Sequence, residues 1–292
     1  MKIGFIGVGN MGGPMCRNII RNTNHDVIAF DLNPAAIKAC TDIGASAGTS
    51  AAQVAADCDI VFTSLPMPRN VEEVAAIIAA NARAGTVYVD LSTNSPATAR
   101  RVNGAMQAKN IQMLEAPVSG GVSRANDGTI VIMVGGDASV FDAQLPLLKS
   151  FSGEVVHVGD IGMGSVAKLV NNMLAFCNAA AAAEALMIGR MAGIDLLKLQ
   201  QVISNASGNS SAFRNISEKA FKREFAATFA LDLAHNDLRL ALELADELGV
   251  PGMIAPQVMN LMRIARAKGM GGDDSSSVIR VYEQALNREV RP

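Results

Sequence analysis

A glycine-rich segment close to the amino terminus limits the possible folds of this chain more than any other feature. The spacing Gly7-x-Gly9-x-x-Gly12 follows a short apolar run typical of a strand and opens a pattern typical of a helix. In that context the first glycine allows a tight turn, the second lets a pyrophosphate approach the backbone, and the third lets helix and strand pack closely. The segment therefore predicts a dinucleotide site, whose predicted contact residues in this loop are Gly7, Gly9, Asn10, Met11 and Gly12.

The first half of the chain alternates strand-like and helix-like patterns. Strands are predicted over residues 2–6, 26–30, 60–64, 86–91, 112–115, 129–134 and 154–158. Such alternation indicates βαβ units and a parallel sheet. Beyond Gly162 only helical periodicity remains, beginning with a helix over 164–193 that is apolar nearly all round. We expect that helix to be buried and to run between two domains.

The sequence thus predicts an α/β fold in two domains. The first, residues 1–162, is a Rossmann-type domain with a doubly wound sheet that binds NAD. The second, residues 163–292, is an all-helical domain.

Composition limits which partners this protein can bind and where in the cell it is expected. The 292 residues carry 25 basic and 27 acidic side chains, a net charge of −2, which disfavours nucleic-acid and anionic-membrane partners. The four cysteines show no Cys-x-x-Cys spacing, so reduced thiols in a reducing compartment are expected. No cluster has metal-ligand spacing, no targeting segment is recognised, and the longest apolar run, 173–183, is too short to span a bilayer. We expect a cytoplasmic protein without a metal.

An acidic residue after the second predicted strand bears on the choice of cofactor. Asp31 lies nineteen residues past Gly12. A carboxylate at this place accepts hydrogen bonds from the adenosine ribose hydroxyls and repels a 2′-phosphate. No arginine or lysine lies between Asp31 and Lys38 to attract that phosphate, so NAD is predicted rather than NADP. The alternative is that Asp31 only caps a helix that starts at Pro34.

A lysine and an asparagine share one face of the long apolar helix. Lys168 and Asn172 are four residues apart and have apolar neighbours. Desolvation is expected to lower the pKa of Lys168, and a cationic nicotinamide would lower it further. An amine tuned in this way suits acid/base work on an alcohol or carbonyl. The alternative is a lysine that snorkels at an interface.

Several motifs, taken in chain order, make the chain resemble β-hydroxyacid dehydrogenases of the 3-hydroxyisobutyrate dehydrogenase type over essentially its whole length. They are Gly4–Gly12, Leu65-Pro66 with Asn70, Ser92-Thr93, Ala116–Gly121 with Gly128-Thr129, and Lys168–Asn172. The resemblance implies an all-helical C-terminal domain and a homodimer or homotetramer.

The resemblance also implies roles for particular residues. Leu65, Pro66 and Asn70 would lie beside the adenine and ribose, and Thr93 near the nicotinamide ribose. Ser119, Gly120 and Gly121 would bind the substrate carboxylate, for which bare backbone N–H groups are suited. Lys168 would be the acid/base, and Asn172 would hold the substrate or orient Lys168.

The chain departs from the family pattern in one helix. Where the family usually has Lys-Asp-Leu, this sequence reads Asn236-Asp237-Leu238, so a positive charge is lost. We hypothesise that Arg124, three residues past Gly121, restores a positive charge near the substrate. The alternative is a solvated arginine.

These features predict NAD-dependent interconversion of a short β-hydroxy acid, similar to 3-hydroxyisobutyrate, and its semialdehyde. One alternative is a reductase of small semialdehydes such as tartronate or succinic semialdehyde. The other is a catalytically silent NAD-binding scaffold.

Overall fold

The structure is a computed structural model that describes all 292 residues. Its contacts divide the chain into two compact units, Met1–Lys168 and Leu169–Pro292. The division falls within the long helix, whereas the sequence places the boundary at residue 162. The predicted fold class is confirmed: a Rossmann-type α/β domain is followed by a domain made of helices.

The first unit is built on one sheet. Its strands are β1 Lys2–Ile6, β2 Asp26–Phe30, β3 Ser46–Ala47, β4 Ile60–Thr63, β5 Val87–Asp90, β6 Gln112–Glu115, β7 Val118–Ser119, β8 Val131–Gly136 and β9 Glu154–Gly159. The order is β3-β2-β1-β4-β5-β6-β8-β7, with β9 paired to β8. Strands β1 to β6 pair in parallel, and the chain changes direction of winding between β1 and β4, which defines the switch point of a doubly wound sheet.

The sheet is mixed at one edge, where the alternating pattern had indicated parallel pairing. Strand β8 pairs antiparallel with both β6 and β7. Residues 120–130 join β7 to β8, which is fewer than the dozen or more that a parallel crossover needs. The strands β3 and β7 were not predicted, because two residues cannot display a periodic pattern.

Helices pack on both faces of this sheet. They are α1 Gly12–Asn22, α2 Pro34–Thr41, α3 Ala51–Asp57, α4 Pro68–Asn81, α5 Pro96–Gln107, α6 Gly121–Asn126 and α7 Ala138–Lys149. In four of them an N-cap side chain accepts a hydrogen bond from a backbone N–H of the first turn. These N-caps are Asn33, Ser50, Ser95 and Asp137.

Strand residues alternate between two separate apolar clusters. In β4, Ile60 and Phe62 join the cluster on one face, and Val61 joins the cluster on the other. Tyr88 of β5 likewise lies in the second cluster, opposite its neighbours. Burial of both faces explains why these strands read as continuous apolar runs.

The second unit contains helices only. After α8, Met163–Ala192, which begins in the first unit, the helices are α9 Leu196–Ser204, α10 Ser211–Lys222, α11 Leu231–Glu247, α12 Ala255–Ala267, a short 3-10 helix Ser275–Val278 and α13 Ile279–Leu286. Asp274 caps the 3-10 helix, since its side chain accepts a hydrogen bond from Ser276 N. Burial alone would raise the pKa of Asp274, but hydrogen bonds from Lys219, Thr228 and Ser276 outweigh it and lower the pKa to about 2.

Helix α8 is not buried all round, contrary to the prediction. Val170, Leu174, Ile188 and Met191 are 51%, 57%, 63% and 54% exposed. They recur along one side of the helix, so this helix has an apolar stripe on its open face. By length and composition α8 could cross a bilayer, a test that core helices of soluble proteins also pass.

Candidate active site

The glycine loop after β1 has the geometry that a dinucleotide needs. A Cβ on Gly12 would lie 1.9 Å from Gly7 O, so only glycine allows α1 to approach the strand this closely. Gly7 has φ +88°, and a Cβ there would meet Ser64 O at 2.4 Å. Gly9 has no atom within 4 Å of its Cβ position, which leaves open space beside the loop.

The start of α1 presents backbone donors to that space. The N–H groups of Asn10 and Met11 donate to no acceptor within the chain, and no side chain caps the helix. Unpaired N–H groups at a helix N-terminus, with its partial positive charge, favour a phosphate. The loop therefore fits a pyrophosphate.

Asp31 supports the loop from the end of β2. Its Oδ2 accepts from Val8 N at 2.9 Å, and its Oδ1 accepts from Asn33 N at 2.8 Å. The cap of α2 is Asn33, which accepts from Ala35 N, so the alternative role of Asp31 as that cap is wrong. A partly exposed carboxylate remains at the place where an adenosine ribose is bound in this fold.

Hydrogen bonds join the ends of β4 and β5. Leu65 N donates to Ser92 Oγ at 2.9 Å, and Ser92 N donates to Asp90 Oδ1 at 3.1 Å. Burial raises the pKa of Asp90, against the opposing hydrogen bonds from Ser92 and Thr63. These bonds fix the backbone of the segment that carries Thr93. Pro66 is exposed, and Asn70 lies in the first turn of α4.

A buried acceptor beside Thr93 was not singled out from the sequence. Asn94 Nδ2 donates to Asp90 Oδ2 at 2.7 Å, while Asn94 Oδ1 is buried without a hydrogen-bond partner. Buried polar atoms are rarely left unpaired. This carbonyl is therefore an exception to that rule in the segment next to Thr93.

The Ser-Gly-Gly segment forms a turn that other residues would not adopt. Ser119 ends β7 opposite Val131, and Gly120 and Gly121 follow with φ +134° and +71°. The stem of Arg124 lies against Gly120, with Arg124 Cβ and Cδ both 3.0 Å from the Cβ position of Gly120. The Arg124 guanidinium is exposed and makes no ion pair or hydrogen bond. An unneutralised cation thus lies beside this segment.

Lys168 is held against the same segment. Its side chain is buried, and Nζ donates to Val118 O at 2.8 Å. Val118 directly precedes Ser119, so the amine lies next to the turn that the resemblance assigns to the substrate carboxylate. Both parts belong to the unit Met1–Lys168.

A buried carboxylate accepts hydrogen bonds from the start of α8. Glu115, at the end of β6, accepts from the backbone N–H groups of Gly162, Gly164 and Ser165 and from Ser165 Oγ. Burial raises the pKa of Glu115, and these four hydrogen bonds act in the opposite direction. The sequence motif Gly162-x-Gly164-Ser165 therefore surrounds an anion that the chain itself supplies.

In the second unit Asn172 is paired with a buried acid. Asn172 Nδ2 donates to Asp237 Oδ2 at 2.8 Å, and both side chains are buried. Asn236 Oδ1 accepts a hydrogen bond from the guanidinium of Arg239 at 2.8 Å. Sequence reasoning gave no role to Asp237, because its partner Asn172 lies on another helix, 65 residues away.

Most of the predicted site residues follow strands at one edge of the sheet. The glycine loop, Asp31, Leu65 and Thr93 follow β1, β2, β4 and β5, which run parallel. Ligands of open α/β sheets bind outside these carboxyl ends. No group of three or more His, Cys, Asp or Glu side chains is arranged to hold a metal ion.

Comparisons with known proteins agree with this geometry. Residues 2–159 match the family model described as the NAD binding domain of 6-phosphogluconate dehydrogenase. Residues 162–282 match the model described as NAD-binding of NADP-dependent 3-hydroxyisobutyrate dehydrogenase.

Individual relatives match over nearly the whole chain. A 2-(hydroxymethyl)glutarate dehydrogenase of Eubacterium barkeri is 41% identical and covers 97% of this chain and 95% of its own. A 3-hydroxyisobutyrate dehydrogenase of Pseudomonas aeruginosa is 36% identical, with coverage of 94% and 96%. The solved 3-hydroxyisobutyrate dehydrogenase of Mycobacterium tuberculosis with L-serine is 31% identical, with a TM-score of 0.88 and coverage of 96% and 98%.

The fold, the glycine loop and these matches define an NAD(P)-binding oxidoreductase. The chain belongs to the β-hydroxyacid dehydrogenase family, which includes the 3-hydroxyisobutyrate dehydrogenases. It is a hydroxyacid dehydrogenase, and the reading as a silent scaffold is not supported.

Proposed function

We propose that this enzyme interconverts a short β-hydroxy acid, similar to 3-hydroxyisobutyrate, and its semialdehyde, with Lys168 as the acid/base. The observation that carries the proposal is the buried amine of Lys168, bonded to Val118 O beside the Ser-Gly-Gly turn. Reduction of small semialdehydes, such as tartronate or succinic semialdehyde, is the same chemistry in reverse. Formation of NADH from NAD⁺ and one acid among 3-hydroxyisobutyrate, 3-hydroxypropionate, serine, glycerate, threonate and 4-hydroxybutyrate tests the proposal.

The proposed mechanism assigns each step to a residue. The backbone N–H groups of Gly120 and Gly121 and the Ser119 hydroxyl bind the substrate carboxylate. Neutral Lys168 Nζ takes the hydroxyl proton while the carbon–hydrogen bond breaks and the carbon–oxygen double bond forms. NAD⁺, which the glycine loop Gly7–Gly12 would hold, would supply the acceptor for the hydride that leaves this carbon. In reduction, protonated Lys168 returns the proton to the carbonyl oxygen. Asn172, one helical turn later, holds the substrate or orients Lys168.

We also propose a cofactor site in which the dinucleotide is NAD. Gly7, Gly9, Asn10, Met11 and Gly12 bind the pyrophosphate. Leu65, Pro66 and Asn70 line the adenine side, and Thr93 lies by the nicotinamide ribose. The support is the unpaired N–H groups at the start of α1 and the carboxylate of Asp31, which repels a 2′-phosphate.

Two substitutions test the preference for NAD. Asp31→Asn keeps an acceptor for Val8 N but removes the charge, and Leu32, which is 92% exposed, can be changed to Arg without loss of packing. The double variant is expected to lower the ratio of kcat/KM for NAD⁺ to that for NADP⁺ by roughly 100-fold, as a repulsion is replaced by an attraction. Wild-type enzyme that already favours NADP⁺ in steady-state assays would contradict the proposal.

Arg124 is proposed to attract a second anionic group of the substrate. The E. barkeri relative is named for a dicarboxylic acid, and the guanidinium here has no partner in the chain. If the enzyme accepts 2-(hydroxymethyl)glutarate, Arg124→Ala should raise KM for it about 10-fold or more, the loss of one charge-assisted hydrogen bond, with little change in kcat. Equal KM values in the variant and wild type would leave Arg124 as a solvated residue.

The apolar stripe of α8 is proposed to bind a second copy of the chain, in a homodimer or homotetramer. A helix of 30 residues is about 45 Å long, and two identical stripes can meet about a two-fold axis. Light scattering should give a mass at least twice the 30.5 kDa of the chain. Leu174→Glu with Ile188→Glu should lower that mass toward the monomer.

A cytoplasmic location is proposed from cysteine chemistry. All four cysteines are free, and three of them are buried. Thiols without disulfides are typical of proteins in reducing compartments.

A further inference from the structure

Glu115 is a buried carboxylate whose hydrogen bonds all go to the start of the helix that carries Lys168. Oε1 accepts from the N–H groups of Gly162 and Gly164, and Oε2 accepts from Ser165 N at 3.3 Å and Ser165 Oγ at 2.5 Å. Three otherwise unpaired backbone donors of the first helical turn are thereby satisfied by one side chain. Glu115 is only 2% exposed, so water does not compete for these bonds.

Glycines close the space around this carboxylate. A Cβ on Gly135 would lie 2.5 Å from Glu115 Oε1. A Cβ on Gly164 would lie 2.7 Å from Met133 O and 3.2 Å from Glu115 Cγ. Neither position has room for a side chain, so the helix start, β8 and the carboxylate are in direct contact. This packing explains the glycine at position 164, next to the Glu115 carboxylate.

A second hydrogen bond joins helix α8 to the chain just after Glu115, at the start of β7. Lys168 Nζ donates to Val118 O at 2.8 Å, and Val118 lies three residues after Glu115. Residues 115–118 are thus bonded to the helix at its first turn and again about one turn later. All of these residues belong to the unit Met1–Lys168.

We propose that Glu115 is a positioning residue that fixes the direction and depth of the Lys168 amine relative to the Ser-Gly-Gly turn. The inference rests on the proposed acid/base role of Lys168. Three N–H bonds to one rigid carboxylate set the rotation of the first helical turn about its axis, and Lys168 lies one turn past Gly164. A small rotation there would displace the amine from the reacting oxygen, and displacements near 1 Å can lower rates by about 100-fold.

Glu115→Gln tests the inference with nearly unchanged volume. The amide keeps one acceptor oxygen, but its NH₂ group faces donors of Ser165 and cannot accept from them. We expect kcat to fall by about 10- to 100-fold, with the Kd for NADH unchanged, since the nucleotide loop is not touched. The primary deuterium isotope effect on kcat should approach its intrinsic value, because the chemical step becomes slower than product release.

A milder variant and a matched control accompany it. Ser165→Ala removes only the Oγ donor and should lower kcat by about 3- to 10-fold without loss of folding. Glu115→Asp restores the charge but is one methylene too short, so it should rescue kcat only in part. Glu283→Gln is the control: this carboxylate is 5% exposed and binds Arg223 and Val290 N in the second unit. It should lower the melting temperature and leave kcat per folded enzyme unchanged.

The outcomes separate this inference from the proposed function. If Lys168→Ala is inactive while Glu115→Gln and Ser165→Ala turn over at the wild-type rate, only the positioning role of Glu115 is overturned. If Glu115→Gln lowers the melting temperature and nothing else, the residue is merely structural and the inference also fails. If Lys168→Ala retains turnover, the proposed function itself is wrong.

Discussion

Lys168→Ala is expected to lower kcat for oxidation of the hydroxy acid by about 1,000-fold, within the range that general acid–base catalysis supplies. The variant loses the only group proposed to take the hydroxyl proton, but the glycine loop proposed to bind the nucleotide is unaltered. NADH should therefore bind with its wild-type Kd, measured by fluorescence titration. Steady-state kinetics with the best substrate measure the loss of kcat.

Lys168→Arg distinguishes proton transfer by Lys168 from electrostatic stabilisation of the transition state by its positive charge. Arginine keeps the positive charge and can still donate to Val118 O, but it does not deprotonate near neutral pH. It should be nearly as inactive as Lys168→Ala in the oxidative direction. For wild-type enzyme the oxidation rate should rise with pH along one ionisation. An Arg variant that keeps a tenth or more of kcat would contradict the acid/base role, because general acid–base catalysis is worth roughly 100-fold or more.

Gly12→Ala is expected to prevent a normal nucleotide loop. The added Cβ would lie 1.9 Å from Gly7 O and 3.0 Å from Phe5 Cε1, so α1 must move away from β1. Overpacking of this kind costs about 1–3 kcal/mol or more in the free energy of unfolding. Because the same shift removes the donors of the pyrophosphate site, NADH should bind at least about 100-fold more weakly. Thermal melts and NADH titration measure the two effects.

Two other glycines provide controls for that variant. Gly9→Ala meets no atom within 4 Å, so it should fold normally and yet weaken NADH binding, since its Cβ would enter the space proposed for the pyrophosphate. Gly104→Ala, on the exposed side of α5, should leave NADH binding unchanged and raise stability by about 0.5–1 kcal/mol. A Gly12→Ala enzyme with wild-type stability and NADH affinity would contradict the role of this contact.

Local signals in the sequence predicted the elements that are long and periodic. Strands β1, β2 and β6 begin and end where their apolar runs do. Helix α6 was missed because it has six residues, starts at Gly121 and has no side-chain cap. The open face of α8 was missed for another reason: apolar residues look the same in sequence whether they face a core or an interface.

The site residues likewise divide into those marked by a short motif and those paired over a long stretch of sequence. The glycine loop, Asp31 and Lys168 were predicted as site residues because each lies in a short motif with a fixed offset. Glu115 was not, since its partners are 47 to 50 residues away, and Asp237 was not, since it is 65 residues from Asn172. Only the fold shows such long-range pairs.

The most direct test of the central claim compares two isomers. Purified enzyme with NAD⁺ at alkaline pH is given 3-hydroxyisobutyrate or 2-hydroxyisobutyrate at equal concentration, and NADH is followed by its absorbance. The account predicts NADH from the β-hydroxy acid, its loss in Lys168→Ala, and none from the α-hydroxy isomer, whose tertiary hydroxyl carbon has no hydrogen to transfer. If neither this acid nor any other short β-hydroxy acid yields NADH while NADH still binds, the claim is contradicted.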